Sequence, residues 1–457
     1  MSAQLQPGAQ SDLATAPVRE SVAWAAVFLL VLMSIVALLD RQIVALMVEM
    51  IKARFRVTDS QIGLMQGAAF SLVYAAATIP FGYAADRGSR RLALFVGVFF
   101  WAVAACVSGL AGSFNVLLAA RIGVGFGEAA LNPVVTSLLS DLFPDHRRAF
   151  AFSVVSIGSL IGVNGALVIG GAVLHWAGHG LTWPLLGPLA PWQVAFILTG
   201  APGLLLAFAV FLMPEPVRRT KPAAAGPSAG RAETAEYVRQ NGRFLTGYLG
   251  GFTCLGVASY GLMTWTPAVL QRLYGWSAAQ SGLIAGSLIA ACGIVGTLTT
   301  GFLVDLLYQR GRRDAHAMVY VAACLLFVAC GGACAFARSA WGFLLIILPT
   351  KLVSNYAGIA LAGISLRSPE HLRGRMAALF SLVTVPTGAA IGPSAVAFLT
   401  DEVFKDPAKV QLSIAVTMML FSTLGAALLW LAREPADQPG ALAASRTARP
   451  DRVSSPS

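Results

Sequence analysis

Asp40, Arg41, Arg121, Glu128 and Lys351 each sit inside a run of residues that is otherwise apolar. A lone charge near the centre of a bilayer costs about 2.5 to 3.5 kcal/mol on insertion scales, so charges kept there face a water-filled cavity or one another. Two carboxylates beside guanidinium groups can carry protons, because burial and a neighbouring cation push a carboxylate's proton affinity in opposite directions. A pair that opens and closes between two conformations then takes up a proton on one side and releases it on the other. Arg121, Gly125, Glu128 and Asn132 fall at i, i+4, i+7 and i+11, one stripe of a helix that would line such a cavity. The rise from Arg121 to Glu128 is roughly 10 Å, so each meets a neighbouring helix at its own depth. Arg41 with Glu128 is the pair expected here, with Glu128 carrying the proton and Asp40 tuning or sharing it. A static pair that fixes helix packing is the competing role.

Lys351 lies about eleven residues into its apolar run, near the midplane, with Asn355 one turn later and Tyr356 beside it. A lysine there meets a phosphate or carboxylate head group, and Arg121 is a second cation for the same purpose. Phe70, Tyr74, Tyr260 and Trp265 are candidate apolar walls for a lipid-like tail, although aromatic residues in such runs more often pack. Trp176, Trp183, Trp192, Trp276 and Trp341 fall at the ends of runs, where an interfacial belt is expected.

What must position these residues follows from composition. The chain is 57% hydrophobic and 12% charged, with a mean hydropathy of +0.72, far from a soluble domain. A helix needs about 20 apolar residues to cross a bilayer. Twelve such runs fall near 22–48, 62–85, 91–112, 116–138, 150–175, 191–213, 244–271, 279–303, 316–336, 340–365, 376–399 and 410–432. The fold class is therefore an all-α membrane protein of twelve transmembrane helices. The division expected is a disordered tail (1–20), a first six-helix bundle (21–213), a flexible cytoplasmic linker (214–242) containing "KPAAAGPSAG", a second six-helix bundle (243–433) and a disordered tail (434–457). Most of the 32 Lys and Arg lie in loops on the side of both termini, which places that side in the cytoplasm. The net charge of +11 is mostly topology, and basic loops such as "DHRRAF" need no nucleic acid to explain them.

The two sets of six carry traces of a duplication. Gly67, Gly82 and Asp86 recur at one constant offset as Gly286, Gly301 and Asp305. At the end of the second run stands "GYAADRGSRR", Gly82 to Arg91. It resembles the loop signature of the major facilitator superfamily, with Gly82, Asp86, Arg87, Arg90 and Arg91 in the pattern and Ser89 where a glycine is usual. "GFLVDLLYQRGRR", Gly301 to Arg313, is a degenerate second copy. The resemblance implies alternating access, with Gly82 allowing close helix approach, and Asp86 and Arg90, together with Asp141, latching the bundles at the cytoplasmic end. "LLDRQIVALMVEMIKARFRVTDSQIGLMQGAAFSLVYAAATIPFGYAADRGSRR" and "RIGVGFGEAALNPV" look like the Spinster branch of that superfamily. This implies lysophospholipid or sphingoid-phosphate cargo, proton coupling, and roles for Asp40, Arg41, Arg121 and Glu128. "GSLIGVNGALVIGG", Gly158 to Gly171, resembles the glycine-rich fifth span of antiporters but lacks its proline, with Val163 and Asn164 after Gly162.

Other chemistry has no motif to rest on. None of the five lysines follows a glycine, so no phosphate-cradling loop supplies ATP energy. No cofactor and no metal site is expected. His175 and His179 are spaced i, i+4 without a third ligand. The six cysteines read as free packing residues. The reading is a secondary transporter, not an enzyme, in a bacterial inner membrane, acting as a monomer on a small-molecule or lipid-like solute with protons as partners. An organic-acid or drug transporter, and an uncoupled lipid scramblase or sensor, remain the alternatives.

Overall fold

Within a bilayer an apolar run can satisfy its backbone only by closing hydrogen bonds on itself, and the chain accordingly folds almost wholly into helices. A computed structural model describes residues 19–178, 181–183, 187–216, 227–312 and 314–433. The tails expected to be disordered, apart from residues 19 and 20, lie outside the described residues, as do His179, Arg313 and residues 217–226 of the linker.

Ten helices are long and apolar enough to cross a membrane among the described residues. They are spans 1 to 6 (Glu20–Leu46, Asp59–Arg87, Arg90–Gly109, Phe114–Leu142, His146–Ala177 and Pro191–Leu212) and spans 8, 9, 11 and 12 (Ala278–Gln309, Ala315–Cys334, Glu370–Val403 and Pro407–Leu431). Span 7 is the 33-residue helix Gly242–Tyr274, less apolar because it carries Gly, Thr, Tyr and Arg along its length. Span 10 is two shorter pieces, Ala340–Lys351 and Ala357–Arg367. With spans 7 and 10, the twelve apolar runs are all helical. A short hairpin, Leu181–Trp183 with Gly187–Leu189, joins spans 5 and 6.

The duplication is visible in backbone detail. Thr58 caps span 2 by accepting from Gln61 N while Gln61 returns to Thr58 N, and Ser277 and Gln280 do the same for span 8 at the offset that relates Gly67 to Gly286. Each cap is followed by a π turn, Met65–Ala69 and Ser281–Ala285. Glycines then let the halves meet. A Cβ on Gly67 would lie 2.7 Å from the Ala390 carbonyl oxygen of span 11, and one on Gly286 would lie 2.8 Å from Leu167 of span 5. In span 5, Gly158 and Gly162 face Val31, Ile35 and Leu38 of span 1, the small-residue packing that membrane helices use in place of hydrophobic burial.

The buried apolar core is continuous across the halves only at the end away from the termini. There Ile43, Leu46, Met47 and Leu167 share a cluster with Leu262, Leu270 and Ala285. Near the termini the first half keeps a core of its own, built from residues such as Leu30, Leu94 and Leu138. Trp192, expected at the interface, is instead buried against Phe55 and Phe196, whereas Trp276 and Trp341 pack together at a span end. All six cysteines are free.

The linker differs from its sequence reading. Pro227–Gln240 is a helix, as its Ala-, Glu- and Arg-rich stretch favours. It docks on the turn between spans 10 and 11, with Tyr237 Oη donating to Arg367 O at 3.1 Å and Glu233 facing His371 at 2.7 Å. Arg239 and Gln240 donate to Glu236, holding its carboxyl below the ordinary range.

Candidate functional site

Span 4 breaks immediately after Glu128. Pro133 has no N–H to offer Ala129, and the helix pauses at residues 129–130 before resuming at Leu131. Span 10 breaks immediately after Lys351, and the chain runs non-helically to Tyr356. Each half thus places an ionisable side chain at a helix interruption.

About two turns before its break, span 4 carries Arg121, whose Nη1 donates to Asp40 Oδ2 at 2.7 Å. Thr199 of span 6 donates its hydroxyl to the other oxygen, Asp40 Oδ1, also at 2.7 Å. Both members of the ion pair are buried, and the Arg121 guanidinium lies 5.6 Å from the Phe196 ring. The pair expected from the sequence, Arg41 with Glu128, is therefore not the one formed: the spans 1 and 4 pair is Asp40 with Arg121. The shorter Asp40 sits on the face of span 1 turned into the first bundle, where both its oxygens find donors.

Arg41, one residue on, turns the other way. Its guanidinium stacks 4.5 Å over Phe70 and 5.9 Å from Tyr74, with no ion-pair partner among the described residues. Tyr74 Oη accepts from Asn132 Nδ2 at 2.8 Å, which joins span 2 to the polar stripe of span 4. Glu128 is buried with Oε1 lacking any hydrogen-bond partner, and Arg41, Asp40 and Arg121 are the charges whose fields reach it.

In the second half, Lys351 is buried and has no ion-pair partner among the described residues. Asn355 is occupied structurally, donating to Thr297 Oγ1 at 2.6 Å on span 8. Tyr356 is buried and stacked on Phe252 at 5.6 Å, so it packs instead of lining a wall. Trp265 is likewise sealed in, its Nε1 donating to Pro393 O at 3.0 Å. Tyr260 is half-buried and is an electrostatic neighbour of both Tyr74 and Tyr356, at the seam between the halves.

A cavity of about 1200 Å³ runs from Tyr74 and Asn132 to the terminus-bearing end. Its span 4 wall is polar (Asn132, Thr136, Ser137, Ser140), and its span 11 wall is mostly apolar (Ala378, Leu382, Val385, Pro386). The signature residues frame its mouth without bridging it. Arg90 makes a buried ion pair with Asp141 and donates to Ser137 Oγ at 2.8 Å, all within the first half. Asp86 is exposed at the cavity wall, Asp305 is exposed, and Arg87 folds back on Tyr83 at 3.0 Å. Arg91 donates to Met213 O at 3.0 Å. A Cβ on Gly82 would meet Pro133 at an ordinary 3.9 Å, so close approach does not require glycine there in this conformation. The latch expected at this end is open.

The opposite end is clasped by residues that sequence reasoning missed. Arg272, ending span 7, donates to Glu49 Oε1 at 2.7 Å, to Asp59 Oδ2 at 2.7 Å and to Pro407 O at 2.8 Å. Lys52 also pairs with Asp59, Ser60 N donates to Asp401 Oδ2 at 2.6 Å, and Gln271 donates to Leu46 O at 3.1 Å. In sequence these charges look like ordinary loop residues, and only the fold brings them together. Thr199 gave no signal either, since a threonine in an apolar helix usually bonds its own backbone.

The comparisons agree with this geometry. The family model of the Major Facilitator Superfamily matches residues 30–393. An MFS-type efflux pump of Mycolicibacterium smegmatis is 27% identical over 412 residues, covering 90% of this chain and 92% of that one. A probable galactarate/D-glucarate transporter of Bacillus subtilis is 25% identical over 406 residues, covering 82% and 86%. Among solved structures, a bacterial homologue of the human lysosomal transporter Spinster, inward-facing and unoccupied, superimposes with a TM-score of 0.77 at 23% identity, covering 91% of this chain and 98% of that one. The chain is a multi-pass integral membrane protein, and it belongs to the major facilitator superfamily of transporters.

Proposed function

We propose that this protein moves an anionic amphipathic solute across a bacterial inner membrane by alternating access, driven by protons. The observation that carries the reading is the cavity, polar along span 4 and apolar along span 11, closed at its inner end by Tyr74 and Asn132, with Arg41 packed against the Tyr74 ring and Glu128 buried one turn before Asn132 on span 4. A polar head and a single apolar tail match those two walls, as in a lysophospholipid or a sphingoid phosphate. The basic loops put the terminus-bearing end in the cytoplasm, so this conformation faces inward.

Within that reading Arg41 meets the anionic head, because Arg121 is committed to Asp40, while Lys351 offers a second cation from the other half. Glu128, the buried acid whose Oε1 has no donor, carries the proton; solute and Glu128 then compete for Arg41, which links their movements. Asp86, Arg90 and Asp305 engage when the cytoplasmic end closes. The uncoupled scramblase differs only in lacking that competition. A compact organic acid is the second reading, supported by the sugar-acid transporter among the relatives.

A thermal-shift comparison tests the cargo. A ligand at a hundredfold its dissociation constant stabilises the folded protein by about 2.7 kcal/mol. Lysophospholipid or sphingoid phosphate is expected to raise the melting temperature, and Arg41→Gln to abolish that rise while sparing a neutral analogue with the same tail. A shift given by sugar acids alone selects the second reading.

A further inference from the structure

Asp40 competes with Glu128 for the role of proton carrier, since it lies in a transmembrane helix and is entirely buried. Its surroundings argue otherwise. Each of its oxygens has its own donor, Arg121 Nη1 on one and Thr199 Oγ1 on the other, both at 2.7 Å. The one proton of the Thr199 hydroxyl has a second acceptor in Phe196 O at 3.0 Å, one turn back on span 6, and the nearer, charged Asp40 oxygen is the stronger of the two. The titratable and charged groups facing Asp40 are Arg121 and Glu128 from span 4 and Cys106 from span 3, while Arg41, next to it on span 1, turns away to Phe70 and Tyr74. Span 5 presents glycine instead, Gly162 against Ile35 and Leu38. Glu128 shares that burial but not those partners: its Oε1 is buried without a donor, and the helix breaks at the next residue.

We propose that Thr199 is a positioning residue: by holding the second oxygen of Asp40 it keeps the Asp40–Arg121 pair closed throughout the cycle, so that Glu128 alone exchanges the proton. Spans 1, 4 and 6 of the first half then move as one body around this three-residue knot, and Arg121 is prevented from swinging to Glu128 and neutralising it. The inference rests on the proton-coupled reading, but it concerns which acid titrates, a question with its own readout.

The test is infrared difference spectroscopy of the carboxyl C=O stretch in reconstituted protein, titrated from about pH 8 to about pH 5.5, above the range of ordinary exposed carboxylates. The wild type is expected to show a protonation band that Glu128→Gln removes and Asp40→Asn leaves. Thr199→Val, which keeps shape and deletes the hydroxyl, is expected to add a second band that disappears in the Thr199→Val, Asp40→Asn double variant. Thr199→Ser, which restores the hydroxyl, is expected to return the wild-type spectrum. In the same proteoliposomes Thr199→Val should lower pH-driven uptake about tenfold, the scale of one hydrogen bond to a charged group, while solute exchange persists. Exchange also reports that the variant is folded. A wild-type band lost in Asp40→Asn overturns the proposal even if Thr199→Val fails to fold, and so does a Thr199→Val spectrum identical to wild type. If the wild type shows no pH-driven uptake, proton coupling fails, while the spectra still decide whether Asp40 titrates.

Discussion

Breaking the clasp at the end away from the termini should tip the protein toward the opposite conformation. Arg272→Gln removes a guanidinium whose side chain is 11% exposed and which bridges Glu49 and Asp59, the latter fully buried. Removing one partner of a buried charge pair costs about 3 to 5 kcal/mol. Lys52 still pairs with Asp59, which recovers part of that loss. The Glu49 arm is partly solvated and contributes no more than about 1 kcal/mol. Were that end to open in the opposite conformation, these groups would be hydrated there and lose nothing comparable. The net bias is therefore about 2 to 3 kcal/mol against the clasped state, about a 30- to 150-fold change in the conformer ratio. Pulsed electron paramagnetic resonance can measure it with spin labels at 54 and 402 across the clasped end and at 83 and 382 across the cavity mouth, in a background without native cysteines. The first distance should lengthen and the second shorten. Distributions at both ends that superimpose on the parent, in protein that still exchanges solute, would falsify the clasp as a determinant of the conformation.

Two further substitutions probe other contacts. Gly67→Val sets side-chain atoms where a Cβ already lies 2.7 Å from the Ala390 carbonyl oxygen, so it should cut transport by more than about tenfold at normal membrane abundance, because spans 2 and 11 can no longer close. Wild-type uptake would show that the π turn before Phe70 absorbs the change. Trp265→Phe removes the indole donor from the Pro393 carbonyl, which keeps its own helix bond, and should cost about 0.5 to 1.5 kcal/mol, read as a lower melting temperature with unchanged solute affinity; a fall in affinity instead would return Trp265 to the cavity wall.

The helices and the duplication were legible because the bilayer imposes a length and because two glycines and an aspartate recur at one offset, whereas the matching caps emerged only from the structure. The ionisable residues were equally visible, since charges in apolar runs stand out. Their pairing was not. Asp40 and Arg41 are adjacent, so which one faces span 4 depends on the rotation of span 1 about its axis, and that is set by Gly158 and Gly162 of span 5. The same limit applies to Trp265 and Tyr356: an aromatic side chain reads alike whether it lines a cavity or seals a seam. The Arg272 clasp depends on residues more than 200 positions apart in sequence that only the closed end brings together. The latch around Asp86 and Arg90 was inferred from a motif that describes the protein closed at that end, whereas this conformation is open there.

The central claim is that solute movement is tied to a proton on Glu128. The most direct measurement compares two activities in the same proteoliposomes: uptake driven by an imposed pH gradient, and counterflow exchange of labelled solute without a gradient. Glu128→Gln keeps the side chain's shape and removes its titration, so pH-driven uptake should vanish while exchange continues. Gradient-driven uptake at the wild-type rate in Glu128→Gln would contradict the account and leave the buried charges of spans 1 and 4 with a purely structural role.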